Sequence, residues 1–478
     1  IGVTGHSSGG TAANMAVEID NSRETPLIAA VLQQAGDWQD DTGGDHSGDY
    51  GSRSVGIIAS THDDFYFGTY DDAGNMLTNP AAFMETDGAK KFLNFNEDGF
   101  AGIAEGGKYY TRDFDGKTAY RVIYRPNMIH PLVAFSTTCV GYAVDFFDTT
   151  LGAPKPLPAS DQIWPIKAVF NSLGVIGLLI FMVSFTLVLL DTPVFSALRS
   201  DEMVQPAPVQ DSGAKAWYWV LLIIGAVFSG ASFLFCMNTV YSKTTNFFVQ
   251  TGPLTIGTWA ALCGVFAIFC SAVFYGAYGK KHGWSARRAG LYLNLEQLWK
   301  TIALAVIVIV VSFGLVFAAH YFFQVDYRMY VVAFKTFGAD KVLIALRYLP
   351  FFLLFYVMNS ISANCFNYNT IGGKNGNILI FAFFNALGAI FVVASQYIYF
   401  YATGYQLYGL TEGQRIGPIW LFPCMVLLFV TPIMSRIIYK RTRNPYIAGL
   451  INAMFIVMIS CSNTTTILGG GELIATTF

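Results

Sequence analysis

Ile1-Gly2-Val3-Thr4-Gly5-His6-Ser7-Ser8-Gly9-Gly10 opens the chain, and Thr11-Ala12-Ala13-Asn14-Met15-Ala16 follows. The first residues read as a short strand, and the small residues from Gly10 onward read as the start of a helix. Between them Gly5-His6-Ser7-Ser8-Gly9 has the G-x-S-x-G spacing of a sharp strand-to-helix turn. Such a turn strains its central residue and leaves the serine hydroxyl exposed, while the two glycines let neighbouring backbone pass. The first amides of the new helix then point to where negative charge develops if Ser7 attacks a carbonyl. With 46 glycines in 478 residues the bare spacing is cheap. The strand before it and the helix after it give it weight.

A nucleophilic serine needs a base to take its proton and an acid to orient that base. His6, His46, His62 and His130 are the histidines of the first 160 residues. Only His62 and His130 follow an acid that itself follows a strand-like run. Ser54-Val55-Gly56-Ile57-Ile58-Ala59-Ser60 reads as a buried strand and ends in Thr61-His62-Asp63-Asp64. Asp63 is the favoured orienting acid and Asp64 the alternative; a solvated acidic turn is the competing view. Thr118–Tyr124 reads as a further strand, paired through an Asp115-Gly116 turn with Lys108–Arg112. The loop Arg125-Pro126-Asn127-Met128-Ile129-His130-Pro131 leads from it into an amphipathic helix near Ser136–Leu151, with Val140, Val144 and Phe147 on one face.

Taken in order, the Ser7 turn, the strand ending at Asp63 and the strand–His130–helix close resemble the α/β-hydrolase superfamily, over residues 1 to about 152. The resemblance implies Ser7 as nucleophile, His130 as general base and Asp63 as its orienting acid. The Ser8 backbone N–H would be one oxyanion donor, typically worth about 2.7–4 kcal/mol in the transition state. No cofactor and no metal are implied. In that fold the turn follows the fifth strand of the sheet. The chain is therefore expected to be the C-terminal part of a longer protein, inactive alone. The earlier strands and the loop giving a second oxyanion N–H would lie upstream.

Charge divides the chain. Residues 1–160 carry 21 Asp/Glu and 10 Lys/Arg, whereas residues 161–478 carry 10 and 19. The first part reads as an acidic soluble domain (1–152) that gives no support for nucleic acid as a partner. A Pro-rich linker (153–164), with Pro154, Pro156 and Pro158, favours an extended spacer. The remainder (165–478) reads as an all-α transmembrane domain of about eight spans in the lipid bilayer: 166–190, 217–238, 254–278, 301–324, 343–361, 377–401, 417–438 and 446–468. If the loops after spans one, three, five and seven are cytoplasmic, Lys/Arg divide 12 to 6 in their favour. That places the first domain outside the cytoplasm. A single cysteine in it, Cys139, fits a bacterial extracytoplasmic domain without a disulfide framework.

Other features read as structure. Asp37–Asp49 is taken as a solvated acidic loop in a position where a lid could lie, and its carboxylates miss the calcium-loop spacing. Trp284–Trp299 is taken as an amphipathic segment on the membrane interface. His320 reads as interfacial. Asn171, Asn359, Asn364, Asn385, Gln396 and Asn452 read as interhelical hydrogen-bonding groups or the lining of a polar path. The expected function is a membrane-embedded serine hydrolase acting on an ester or acyl substrate, lipid or small molecule, through an acyl-serine intermediate. The alternatives are a transporter or scaffold with a non-catalytic binding domain, and a membrane acyltransferase.

Overall fold

The computed structural model describes residues 1–39, 44–71, 73–325, 327–330, 332–467 and 473–474. It divides into two units, residues 1–166 together with 395–416, and residues 167–394 together with 417–478.

The first unit is built on a mixed sheet. β1 (Gly2–His6), β2 (Ala30–Gln34) and β3 (Ser54–Ile58) run parallel and side by side. β4 (Tyr110–Phe114) forms an antiparallel hairpin with β5 (Lys117–Tyr124), and β5 lies parallel to β3. The order across the sheet is β1-β2-β3-β5-β4. The hairpin turns through Asp115 at φ 51 and Gly116 at φ 82. Positive φ at both central positions is what a type I′ turn requires, and its twist matches that of the strands. The predicted partner strand 108–112 sits two residues further on, because a two-residue turn fixes Phe114 opposite Lys117.

Helices cover both faces, so the central strands read as continuous apolar runs. Val31, Val55, Ile57 and Ile123 pack with Ala13 and Val17 of α1 (Ser8–Asn21) and with Ala89, Phe92 and Leu93 of α2 (Asp87–Leu93). The alternate residues Leu32, Ile58, Val122 and Tyr124 pack with Cys139 and Phe146 of α3 (Thr137–Leu151). Gly56 lets this layer pack closely: a Cβ there would lie 2.9 Å from side-chain atoms of both Leu32 and Phe146, which would have to shift. The core face of α3 differs from the expected Val140–Val144–Phe147 stripe. Val144 is exposed, and Cys139 and Phe146 are fully buried. The three-residue step from Phe146 to Ala143 and the four-residue step from Ala143 to Cys139 set the actual stripe.

The second unit holds the helices long and apolar enough to cross a membrane. They are α4 (Trp164–Leu190), α5 (Ser212–Thr239), α6 (Thr251–Ala277), α7 (Leu295–Phe323), α8 (Asp340–Ile361, continued to Phe366), α9 (Gly373–Thr403), α10 (Glu412–Thr442) and α11 (Pro445–Ser462), the ends of α4, α9 and α10 lying in the first unit. These eight fit a multi-pass membrane protein, and each falls on an expected span. α5 and α7 begin a few residues earlier than their apolar runs, because polar residues cap them: Asp211 accepts from the Ala214 amide, and Asn294 forms a capping box with Gln297. The expected amphipathic segment Trp284–Trp299 is not one helix. Residues 284–294 are non-helical, and the Trp284 ring stacks on Phe366 and donates to the Cys365 carbonyl at 2.7 Å. An indole drawn into the protein usually finds such a partner for its N–H.

Candidate active site

Ser7 stands between β1 and α1 at φ 57, ψ −127. A non-glycine residue there is strained by about 1–3 kcal/mol and is held only when its surroundings over-determine it. Here the Ser7 amide donates to the Gln34 carbonyl at 3.0 Å, and the Ser7 carbonyl accepts from Gly10 at 2.6 Å. Gly5 makes the turn possible, because any Cβ on it would collide with the Gly9 carbonyl. Gly9 is different: nothing lies within 4 Å of the place its Cβ would occupy. Ser8 is exposed and is the first residue of α1, so its amide has no helical acceptor behind it. The Ser7 hydroxyl makes no hydrogen bond among the described residues, and the residue is partly exposed.

Two loops at the carboxyl ends of β3 and β5 carry the other expected residues. The loops are tied by Thr61 N–H donating to the Pro126 carbonyl at 3.0 Å and by a parallel bridge between His62 and Ile129. Arg125 adds bonds to the Ala59 carbonyl at 2.9 Å and the Pro80 carbonyl at 2.6 Å. His130 Nδ1 lies 2.9 and 3.0 Å from the two carboxylate oxygens of Asp63. Asp63 is fully buried and accepts three further bonds, from the Phe65 and Tyr66 amides at 2.9 Å each and from Ser60 Oγ at 3.2 Å. Burial alone would raise its pKa. The positive charge and hydrogen bond of His130, with the two amides, outweigh burial and hold it below the ordinary carboxylate value. Burial would likewise lower His130, but the charge and hydrogen bond of Asp63 outweigh that and raise it.

Asp64 is not a second candidate for the same role. It too is fully buried, and its Oδ2 accepts from the backbone N–H of His130 at 3.2 Å. Burial first, and then the charge of Asp63, push its pKa up to about 8. The two adjacent acids are thus driven apart, one ionised and one neutral near pH 7. The Asp64 backbone carbonyl accepts from Gln406 Nε2 at 2.7 Å and from the Tyr70 hydroxyl at 3.3 Å. Residues 395–416 also place the Arg415 guanidinium 4.5 Å from the Tyr70 ring centre and Tyr401 4.4 Å from the His62 ring.

The imidazole of His130 is packed among rings: His6 at 4.8 Å, Phe65 at 5.0 Å edge-on and Tyr66 at 5.8 Å nearly parallel. His6 Nε2 lies 3.1 Å from the His130 carbonyl, and burial, followed by the charge of His130, lowers its pKa. This pairing brings the segment that carries Ser7 against the residue expected to serve it as base.

Sequence reasoning missed His6, Phe65, Tyr66 and Gln406 as neighbours of the site. His6 could have been found, since it abuts Ser7. Gln406 could not, because nothing local marks a contact across more than 300 residues. The stretch Asp37–Asp49 was also misjudged where it is described. Asp37 and His46 are buried, His46 Nδ1 pairs with Asp49 at 2.9 Å, and burial pushes Asp37 up to about 6. Trp38, stacked on Phe83 and Phe92, draws the loop inward. Asp40, Asp41, Thr42 and Gly43 lie outside the described residues.

The chain matches no family model, no curated protein and no solved structure.

Proposed function

We propose that this protein is a serine hydrolase of the α/β-hydrolase type carried by a multi-pass membrane domain. Ser7 would attack the carbonyl of an ester or acyl substrate. His130 would accept its proton at Nε2 and return it to the leaving group, and Asp63 would fix the Nδ1–H tautomer and steady the imidazolium. The Ser8 amide would stabilise the oxyanion, and water or another acceptor would release the acyl group. The observation that carries the reading is the buried Asp63–His130 pair, set on two parallel strand ends in the chain order serine, acid, histidine. The strained, partly exposed Ser7 at the end of a third parallel strand supports it. The Lys/Arg distribution supports an extracytoplasmic position for the domain.

Among the described residues Ser7 and His130 share no hydrogen bond, and bonds of this kind often form fully only around substrate. Acyl-enzyme chemistry gives the test. With p-nitrophenyl acetate, membranes from cells producing the protein from its natural gene should show a burst of nitrophenol stoichiometric with the protein. Ser7→Ala should abolish the burst. A burst that survives Ser7→Ala would reject the assignment.

A further inference from the structure

Arg436 of α10 is 2% exposed, and its position on the helix is unusual for a cation. Its Nε donates to Asn364 Oδ1 at 2.8 Å, Nη1 to Asn377 Oδ1 at 3.1 Å and Nη2 to the Ala363 carbonyl at 2.5 Å. The guanidinium also lies 4.2 Å from the centre of the Tyr368 ring. All these partners are neutral, and among the described residues no carboxylate pairs with it. The π turn Ser362–Phe366, which ends the fifth span, supplies Ala363 and Asn364, and such turns recur at functional sites. Burying a cation costs several kcal/mol, which neutral dipoles recover in part and an anion recovers far better. Inside a membrane such a residue is a functional candidate by default.

Further cations and a spare donor stand beside it. Lys440 is one helical turn from Arg436 along the same face, and Lys374, at the start of α9, is one turn before Asn377, which accepts from Arg436. The Asn369 side chain is buried. Its oxygen accepts from Asn377 Nδ2 at 3.1 Å, and its amide nitrogen has no hydrogen-bond partner among the described residues. Arg436 is six residues from the end of α10, about 9 Å at 1.5 Å per residue, where headgroups meet hydrocarbon.

An apolar cavity adjoins this pole. Tyr218 packs with Ile378 and with Ala363, whose carbonyl accepts from Arg436. It also lines a cavity of about 210 Å³ between α5, α6, α8, α9 and α10, walled by Leu222, Phe228, Trp259, Phe266 and Phe355 among others. Apolar walls, joined through Tyr218 and Ala363 to Arg436 with Lys440 and Lys374 beyond it, suit an amphiphile with an anionic head. We propose that the membrane domain binds a phosphate-bearing lipid. Its phosphate would sit at Arg436, Lys440 and Lys374, and a hydrocarbon chain would fill the cavity beside Trp259.

Trp259 makes the test direct. The full chain is placed in phosphatidylcholine bilayers carrying a small share of dibrominated phosphatidylglycerol or dibrominated phosphatidylcholine. The Trp259 emission is taken as the difference from Trp259→Phe. The anionic lipid should quench this component more strongly than the zwitterionic one. Lys440→Gln and Lys374→Gln should each cut the preference by about fivefold, as expected for about 1 kcal/mol per surface cation; Arg436→Lys should retain it. Equal quenching by both lipids, or a preference indifferent to the lysines, would overturn the headgroup assignment. If inorganic phosphate raises thermal stability while neither lipid quenches Trp259, the site takes free phosphate and the lipid proposal fails.

Discussion

Asp63 and Asp64 are neighbours of one type whose protonation is set in opposite directions by what each touches. Unfolded, Asp64 ionises near 3.8; folded, near 8. Between these values the folded chain holds a proton that the unfolded chain has lost, so stability falls as pH rises through the window and levels off above it. Asp64→Asn keeps an acceptor for the His130 amide and removes the slope. The variant should match wild type near pH 4 and exceed it by about 1–3 kcal/mol near pH 8, read by thermal unfolding at each pH. An unchanged slope would show that Asp64 is ionised in the fold. The Asp63–His130 pair behaves otherwise. Asp63 is held low, so its contribution is present above about 3.8 and lost on acidification; His130 is held high, so its contribution is present below about 6.5 and lost as pH rises through its folded value. Glycine gives a second contrast. Gly5→Ala should cost about 3 kcal/mol, because its Cβ meets fixed backbone. Gly9→Ala should be neutral or slightly stabilising in a helix. Equal tolerance of both would contradict the turn geometry.

At the level of elements, β1, β3, β5, α1, α3 and all eight long helices were legible in the sequence. Their signals are local: apolar runs, an Asp-Gly turn, apolar spans bounded by polar caps. The acid that faces His130 was legible as a choice between Asp63 and Asp64, and only the fold shows which carboxylate meets His130 Nδ1. What stayed hidden depends on distant contacts. The inward pull of Trp38 on the acidic loop, the buried face of α3 and the non-helical path before α7 are fixed by packing partners far along the chain. The segment 395–416 is the plainest case, since Gln406 supports the backbone of Asp64 from 342 residues away. Gln406→Ala removes one hydrogen bond worth about 1 kcal/mol, so kcat should fall by no more than about 10-fold with KM little changed. A loss as deep as that of Ser7→Ala would mean that Gln406 touches the substrate.

For the whole molecule, the two units divide the chemistry. One carries a strained serine and a buried acid–base pair; the other carries spans with few charges, one of them a buried arginine among neutral partners. An activated Ser7 is the property on which the proposed chemistry depends. The most direct measurement is labelling by a fluorophosphonate probe, in membranes containing the protein from its natural gene, with the modified residue mapped by peptide mass spectrometry and the rate followed against pH. The label should fall on Ser7, should vanish in Ser7→Ala and should slow by about 10⁴ in Asp63→Asn, which presents the wrong tautomer. Because His130 is reactive only when neutral and its pKa is raised, the rate should decline on acidification through a value above 6.5. A folded wild-type protein that takes no label, or takes it at a residue other than Ser7, would contradict the assignment.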